Sequence, residues 1–329
     1  MNIVIVGAGS IGCFTGALLQ QAGHSIALLG RDYVLDPIRT EGLSVSDFTG
    51  MALTVPSVFL SLSKDPACLR DADLVIVAVK TLATQTVARD IAAYAPITAP
   101  ILSFQNGLEN ANILRTGLPG RDVRAGMVPF NVVPKGVAGY HRATSGDIVI
   151  QAGKGYLAEH LTSEALRVTE SYDIVAVQWG KLVLNLTNAL NALSGMTLQN
   201  MLLDRNWRWI MADQMSEALS VLKASNTRAC APTPVPTGLI PHLLRLPTPL
   251  FQRLASKMLT IDPEARTSMS YDVAAGRHTE IESLQGEILR LAKASGTIAP
   301  INGNVADAIG QITKAGNTVP DLDPAELRP

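Results

Sequence analysis

Six residues near the N-terminus, Gly7-Ala8-Gly9-Ser10-Ile11-Gly12, match the pattern G-x-G-x-x-G. They follow an apolar run and precede residues with helical spacing, which is the context that makes this pattern specific. In such a loop the first glycine allows a tight turn, the second lets the backbone approach a pyrophosphate, and the third lets the helix pack against the strand. The sequence predicts that all six residues bind a dinucleotide. The alternative is a glycine-rich turn that holds no ligand.

The residues at the end of the second apolar run indicate which dinucleotide is bound, and here that run leads into Gly30 and Arg31. An acidic residue there would bind the ribose 2′-hydroxyl of NAD, whereas an arginine accommodates the 2′-phosphate of NADP. This chain has Arg31, whose planar guanidinium can bind a phosphate through two hydrogen bonds. The sequence therefore predicts NADPH/NADP as the cofactor. In the alternative, Asp32 binds the ribose one position later and Arg31 is a solvated surface residue.

A lysine and an asparagine share one face of a predicted apolar helix in the second half of the chain. Lys181 and Asn185 are four residues apart, and the residues around them are mostly leucine and valine. A lysine in such a segment must reach a cleft or find a partner, because burying an unpaired charge is costly. A positioned ammonium can stabilise a developing oxyanion and donate a proton to it. The alternative is an ordinary lysine whose stem packs while its head reaches water.

The residue pattern in the first half of the chain predicts the strands and helices that would hold the glycine loop. Short apolar runs alternate there with helix-period segments, which is typical of a parallel sheet covered by helices. The predicted strands are Asn2–Val6, Ser25–Leu29, Leu74–Val79 and Ile101–Phe104, and residues 10–22 form a helix after the first. Residues 136–151 predict a hairpin at the edge of the sheet. Lys80 and Asn106 each follow a strand, where open α/β sheets bind ligands, although polar loops are also common there.

The second half has a helical pattern. Helices are predicted over residues 156–172, 179–193 and 207–224, prolines between 232 and 249 predict a stiff connector, and Thr279 has capping-box spacing before a further helix. The predicted fold class is α/β, with an N-terminal Rossmann-type doubly wound sheet and an all-helical C-terminal domain. We expect an NADP-binding domain over 1–155, a helical substrate and catalytic domain over 156–315, and a poorly ordered tail over 316–329.

Composition excludes several classes of protein. The 329 residues carry 27 basic and 28 acidic side chains, so no broad positive field is available to a nucleic acid. The three cysteines and five histidines lack the spacing of a disulfide framework or a metal site. No apolar run is long enough to span a membrane, and the N-terminus does not have the pattern of a signal peptide. We expect a cytoplasmic protein without metal, nucleic-acid or membrane partners.

Five motifs together resemble the ketopantoate reductases (2-dehydropantoate 2-reductases), within the broader 6-phosphogluconate-dehydrogenase-like group. They are G-A-G-S-I-G at residue 7, V-A-V-K-T with Lys80, Q-N-G-L-E-N with Asn106, W-G-K-L-V-L-N with Lys181 and Asn185, and S-M-S-Y-D-V-A-A-G-R-H-T-E-I-E with Ser268 and Glu280. The resemblance extends from Gly7 to about residue 312.

The resemblance implies a role for each of these residues. Lys181 would be the general acid with Glu280 close to it, Asn185 and Ser268 would hold the substrate, and Lys80 and Asn106 would line the cofactor and the mouth of the cleft. Two of the residues also allow a structural role. A carboxylate at Glu280, just after the predicted cap Thr279, could be favoured merely by the helix dipole, and Ser268 could satisfy its own backbone near a helix start.

The implied activity is the NADPH-dependent reduction of ketopantoate to D-pantoate, in pantothenate and coenzyme A biosynthesis. The chain departs from the family at Ala189 and Ala265, where many or some members have asparagine, and this leaves the side chain of the 2-oxo acid open. One alternative is therefore a D-2-hydroxyacid dehydrogenase or reductase that acts on another branched or aromatic 2-oxo acid. A second is a non-catalytic NADP-binding regulator. Pairing into a homodimer is expected because helical second domains in this group often pair.

Overall fold

The computed structural model describes residues 1–233, 235–259, 261–314 and 322–329. The chain divides into two compact units, residues 1–174 and 175–329. The strands, all in the first unit, are β1 (Asn2–Val6), β2 (Ser25–Leu29), β3 (Leu43–Asp47), β4 (Ala52–Val55), β5 (Leu60–Ser63), β6 (Leu74–Val77), β7 (Ile101–Ser103), β8 (Val123–Met127), β9 (Val132–Pro134), β10 (Gly139–Arg142), β11 (Ile148–Gln151) and β12 (Val168–Ser171). The helices of this unit are α1 (Ser10–Gln21), α2 (Asp32–Glu41), α3 (Thr84–Tyr94), α4 (Asn110–Gly117) and α5 (Leu157–Leu161).

The larger sheet of the first unit has the strand order β12-β11-β8-β7-β6-β1-β2-β5. From β8 to β5 all neighbours are parallel, whereas β11 pairs antiparallel with β8. Strand β1 is buried on both faces. Its residues Ile3 and Ile5 pack with a cluster that includes α1, and Val4 and Val6 pack with a second cluster that includes α3. Helices therefore cover both faces of a mostly parallel sheet, which confirms the prediction of a Rossmann-type doubly wound domain.

A second, smaller sheet has the order β4-β3-β10-β9. The predicted hairpin over residues 136–151 is wrong, because its two runs belong to different sheets. Strand β10 pairs with β3 and β9, whereas β11 pairs with β8 and β12. Strand β10 pairs with the preceding β9 and with the distant β3, so the turn signal at residues 144–146 does not join β10 to β11.

The predicted helix over residues 156–172 is also wrong. Helix α5 ends at Leu161, and the next residue, Thr162, closes a turn onto Val168: the Thr162 hydroxyl donates to the Val168 carbonyl at 2.9 Å and accepts from its amide at 3.0 Å. The following β12 joins the sheet parallel to β11. The first unit therefore extends to residue 174, later than the boundary expected at 155.

The second unit is helical. Its helices are α6 (Ile174–Asn185), which begins one residue before the unit, α7 (Thr187–Ser194), α8 (Leu198–Leu203), α9 (Arg205–Ala224), α10 (Ile240–Leu244), α11 (Thr248–Leu254), α12 (Ser268–Ala274), α13 (Gln285–Ala294) and α14 (Pro300–Lys314). The helix predicted over 179–193 is two helices, with Leu186 in a turn between them. The proline-rich stretch is not a plain connector: Pro241 and Pro249 lie in the first turns of α10 and α11, where a missing N–H group is tolerated. Pro234 lies outside the described residues.

Two further predictions are corrected near the C-terminus. Thr279 does not cap an α-helix, since a short 3₁₀ turn occupies Ile281–Ser283 and α13 begins at Gln285. Of the tail expected to be poorly ordered, residues 316–321 lie outside the described residues, whereas residues 322–329 pack on the helical unit. Leu327 there is buried, and Arg328 pairs with Asp213 at 2.8 Å. Within the described ranges, no helix is long and apolar enough to cross a membrane.

Candidate functional site

The glycine loop between β1 and α1 is tightly packed at its first and third glycines and open at its second. Gly7 has φ +111°, and a Cβ there would lie 2.8 Å from the carbonyl carbon of Ala78. A Cβ at Gly12 would lie 2.1 Å from the Gly7 carbonyl oxygen. A Cβ at Gly9 would meet no atom within 4 Å. The first and third glycines are thus required by packing, whereas the second leaves its backbone accessible to a ligand.

The N-terminus of α1 suits a negatively charged group. The helix begins at Ser10, its cap residue Gly9 provides no side-chain hydrogen bond, and its first turn contains no acidic residue. The first amide of the helical ladder is that of Cys13, which donates to the Gly9 carbonyl at 2.8 Å. The amides before it carry the positive end of the helix dipole, which favours a phosphate. The residues of this loop therefore fit the pyrophosphate of a dinucleotide.

Arg31 and Asp32 lie just beyond β2, and they have different surroundings. Arg31 is exposed, and in the part of the chain that the structure describes no carboxylate pairs with its guanidinium. Asp32, the first residue of α2, lies 3.0 Å from the Lys64 Nζ and 3.9 Å from an Arg39 nitrogen. The acidic group that could bind a ribose is therefore hydrogen-bonded to Lys64, with Arg39 farther away.

Lys80 and Asn106 are exposed residues in the loops that follow β6 and β7. These two strands are parallel neighbours, so both loops lie at the same edge of the sheet, where β1 also ends at the glycine loop. This edge is where doubly wound sheets bind ligands.

A buried network of amide and hydroxyl groups connects these two loops. The Gln105 amide donates to the Val79 carbonyl at 3.0 Å and to the Thr84 hydroxyl at 2.7 Å. The Asn110 amide donates to the Asn106 carbonyl at 2.6 Å and accepts from Thr84 at 3.0 Å. Because buried polar groups that are satisfied hold one geometry, this network fixes the loops. This network was not predicted from the sequence, although Gln105, a polar residue directly after the predicted strand Ile101–Phe104, was a usable signal.

Lys181 is half-buried in the last two turns of α6. The preceding Gly180 packs against the backbone of Cys230, where a Cβ would lie only 2.2 Å from the carbonyl carbon, so the helix approaches that segment closely. Burial lowers the pKa of Lys181 from 10.5 to about 8, and the Glu280 carboxylate acts in the opposite direction. The structure therefore brings these two residues, 99 positions apart, into electrostatic contact. Glu280 caps only a three-residue 3₁₀ turn, to which its side chain gives no capping hydrogen bond.

Asn185 and Ser268 belong to two different helices of the second unit. Asn185 is the half-buried last residue of α6, one turn after Lys181. Ser268 is the exposed first residue of α12, and among the described residues its hydroxyl has no hydrogen-bond partner, so the predicted alternative of a self-satisfied serine is not observed.

Two buried amide side chains join the helices that carry these residues. The Asn191 carbonyl oxygen accepts from the Thr267 amide at 3.0 Å and from the Ser270 hydroxyl at 2.8 Å, which connects α7 to α12. The Gln285 amide donates at 3.0 Å to the Leu186 carbonyl, which connects α13 to the end of α6. Nothing in the local sequence distinguishes these two residues from surface amides. These two side chains tie elements of the second unit together through buried hydrogen bonds.

Comparison with known proteins gives matches over most of the chain. The family model described as "Ketopantoate reductase PanE/ApbA" matches residues 3–155, and the one described as "Ketopantoate reductase PanE/ApbA C terminal" matches residues 173–313. A 2-dehydropantoate 2-reductase from Halobacterium salinarum is 25% identical, over 94% of this chain and 98% of that protein.

Two solved structures are similar in fold. A PanE/ApbA family ketopantoate reductase from Ralstonia eutropha has 28% identity and a TM-score of 0.79, covering 97% of this chain and all of that one. D-mandelate dehydrogenase, solved with NADH and anilino(oxo)acetate, has 19% identity and a TM-score of 0.76, covering 97% and 100%. At that identity the likeness concerns the fold alone. The two family models together with the full-length relatives establish that the chain belongs to the ketopantoate reductase family, a family of dinucleotide-binding oxidoreductases.

Proposed function

We propose that this protein reduces ketopantoate to D-pantoate with NADPH, the reaction that feeds pantothenate and coenzyme A biosynthesis. The observation that carries the proposal is Lys181: a half-buried lysine with a pKa of about 8 and a carboxylate beside it. Perturbed lysines of this kind are typical of proton donors and acceptors. Family membership and the full-length match to a 2-dehydropantoate 2-reductase support the same activity.

Lys181 would donate the proton that the reduction requires. Hydride to the ketone carbon is the chemistry that a bound reduced nicotinamide supplies. As the ketone oxygen gains negative charge, the Lys181 ammonium would stabilise it and protonate it, a contribution of about 10²–10⁴-fold. With a pKa of about 8, roughly nine-tenths of the amine is protonated at pH 7. Glu280 would favour the protonated form between turnovers.

The other residues would bind and orient. Asn185 and Ser268 offer neutral hydrogen bonds to the hydroxyl and carboxylate groups of a 2-oxo acid, which fix its orientation without adding charge. Asn106 would contact substrate or cofactor, and Lys80 the cofactor. The glycine loop would hold the pyrophosphate, and Arg31 the 2′-phosphate of NADPH.

A second candidate substrate class follows from two alanines. Ala189 and Ala265 stand where many or some members of the family have asparagine, so neither position offers an amide group to a substrate. A 2-oxo acid with a more apolar side chain than ketopantoate would tolerate this loss better. Reduction of another branched or aromatic 2-oxo acid is therefore the alternative function.

Steady-state turnover of a small panel tests the proposal. Oxidation of NADPH and of NADH is followed with ketopantoate, 2-oxoisovalerate and phenylglyoxylate, and the product is resolved by chiral chromatography. We expect ketopantoate to have the highest kcat/KM, with NADPH preferred and D-pantoate formed. Faster turnover of phenylglyoxylate or 2-oxoisovalerate would support the alternative. NADPH binding without turnover of any acid would contradict both and point to a regulator.

A further inference from the structure

Lys64, which follows strand β5, lies next to the residues after β2 that would bind the adenosine ribose of the cofactor. Strand β5 pairs parallel with β2, with Ser63 level with Leu29, and the Gly30 amide donates to the Ser63 carbonyl at 3.0 Å. Lys64 therefore leaves the sheet beside the segment that carries Arg31. The ammonium of Lys64 donates to the Asp32 carboxylate at 3.0 Å.

The other charged groups around Asp32 have different partners. Arg39 lies farther from Asp32, at 3.9 Å, and it pairs more closely with Asp36 on the same helix. The Asp65 carboxylate accepts from the Ala67 amide at 2.9 Å and so caps the following 3₁₀ helix. Lys64 is thus the cation that neutralises Asp32 at hydrogen-bond distance.

An uncompensated Asp32 would oppose a 2′-phosphate in two ways. A carboxylate beside Arg31 would repel the phosphate, and it could accept hydrogen bonds from the ribose hydroxyls, as the acidic residue of an NAD site does. In the structure the ammonium of Lys64 neutralises the Asp32 carboxylate, and the guanidinium of Arg31 stays available to bind a phosphate. The pair therefore changes a residue that would favour NAD into one that does not oppose NADP.

We propose that Lys64 is a specificity-determining residue for the cofactor, because its pairing with Asp32 withholds that carboxylate from the ribose and leaves Arg31 to bind the 2′-phosphate. The inference rests on the proposed use of NADPH but not on the identity of the 2-oxo acid. Lys64 is a positioning residue that acts through Asp32, so its effect on cofactor preference should depend on the presence of the Asp32 carboxylate.

Nucleotide binding without substrate tests this inference. The dissociation constants of NADPH and NADH are measured by fluorescence titration for the wild type, Lys64→Ala, Asp32→Asn and the double variant. In Lys64→Ala we expect NADPH to bind more weakly and NADH more tightly; because the ion pair is solvent-exposed, the preference for NADPH should fall roughly threefold to fivefold, or by up to ~1 kcal/mol. In the Asp32→Asn background, Lys64→Ala should change the preference for NADPH over NADH little, because the carboxylate that Lys64 neutralises is absent. Lys64→Arg should retain the wild-type preference.

Matched controls separate this effect from a loss of folding. The side chain of Lys64 is 71% exposed, so its removal should leave thermal unfolding unchanged. Lys135→Ala removes another exposed lysine of the same unit and should leave both dissociation constants unchanged. An unchanged preference in Lys64→Ala, a wild type that prefers NADH, or an equal effect of Lys64→Ala with and without Asp32 would each overturn the inference. Because no acid is present, a failure to reduce ketopantoate would contradict the proposed function and leave these results intact.

Discussion

The rate of ketone reduction should fall as the pH rises through 8, because Lys181 then loses its proton. With a pKa of about 8, about nine-tenths of Lys181 is protonated at pH 7 and about one-tenth at pH 9. If only the protonated form donates to the ketone oxygen, kcat/KM falls roughly tenfold between these values. A lysine with the ordinary pKa of 10.5 would keep more than about nine-tenths of its protons at pH 9 and lose almost no rate.

The variant Glu280→Gln tests the electrostatic part of this reasoning. The Glu280 carboxylate raises the pKa of Lys181 against the effect of burial. The amide keeps the shape of the side chain but removes its charge, so the descending limb of the pH profile should move below pH 8. Glu282→Gln is the matched control, because this neighbouring glutamate is exposed, and it should leave the limb in place.

The assay is the pH dependence of kcat/KM for ketopantoate between pH 6 and pH 10, at saturating NADPH. The affinity for NADPH is titrated over the same range, so that a change in cofactor binding is not mistaken for the titration of Lys181. A limb that remains above pH 10 in the wild type would refute the lowered pKa. A limb that does not move in Glu280→Gln would refute the coupling between the two residues.

Further predictions concern the glycine loop and the buried amides. Gly9→Ala should leave the melting temperature unchanged, because a Cβ there meets no atom within 4 Å, but it should weaken NADPH binding in a titration by roughly tenfold or more. Gly12→Ala should lower the free energy of unfolding by ~1–3 kcal/mol, since its Cβ would overlap a carbonyl oxygen, and an unchanged melting temperature would contradict the packing argument. Asn191→Ala leaves the buried Thr267 amide without its acceptor and removes one of the two hydrogen-bond partners of the Ser270 hydroxyl, and it should cost ~1–3 kcal/mol in urea unfolding. Asn188→Ala, at a half-buried neighbour, should cost clearly less, and equal losses would contradict the role given to Asn191.

The local part of the fold was predictable. Strands β1 and β2 have the predicted bounds, and α1 ends within one residue of its prediction, because apolar runs, helical spacing and glycines act within a few residues. The pairing of the strands into sheets was not predictable in the same way. The strands β10 and β11 are adjacent in sequence but belong to different sheets. The apolar residues over α5 and β12 have a spacing that is also compatible with one continuous helix. In both places the outcome depends on which strand becomes the partner, β3 and β9 for β10, and β11 for β12, and a local pattern does not specify that choice.

The candidate site was predictable only in part. The glycine loop has a local pattern with a physical reason for each glycine, and the i, i+4 spacing put Lys181 and Asn185 on one helix. The proximity of Glu280 came from the family resemblance, since no local rule relates residues so far apart. The buried amides Asn191 and Gln285 could not be recognised, because an amide shows its structural role only when the facing helix is in place.

A single-turnover experiment tests the central claim, that Lys181 is the proton donor for a reduction by NADPH. Enzyme loaded with NADPH is mixed rapidly with ketopantoate, and the loss of nicotinamide absorbance is recorded for the wild type and for Lys181→Ala. We predict that the wild type oxidises its bound NADPH in one fast phase and that the variant is about 10²–10⁴-fold slower while binding NADPH with the same affinity. Equal rates in the two proteins would contradict the assignment of Lys181.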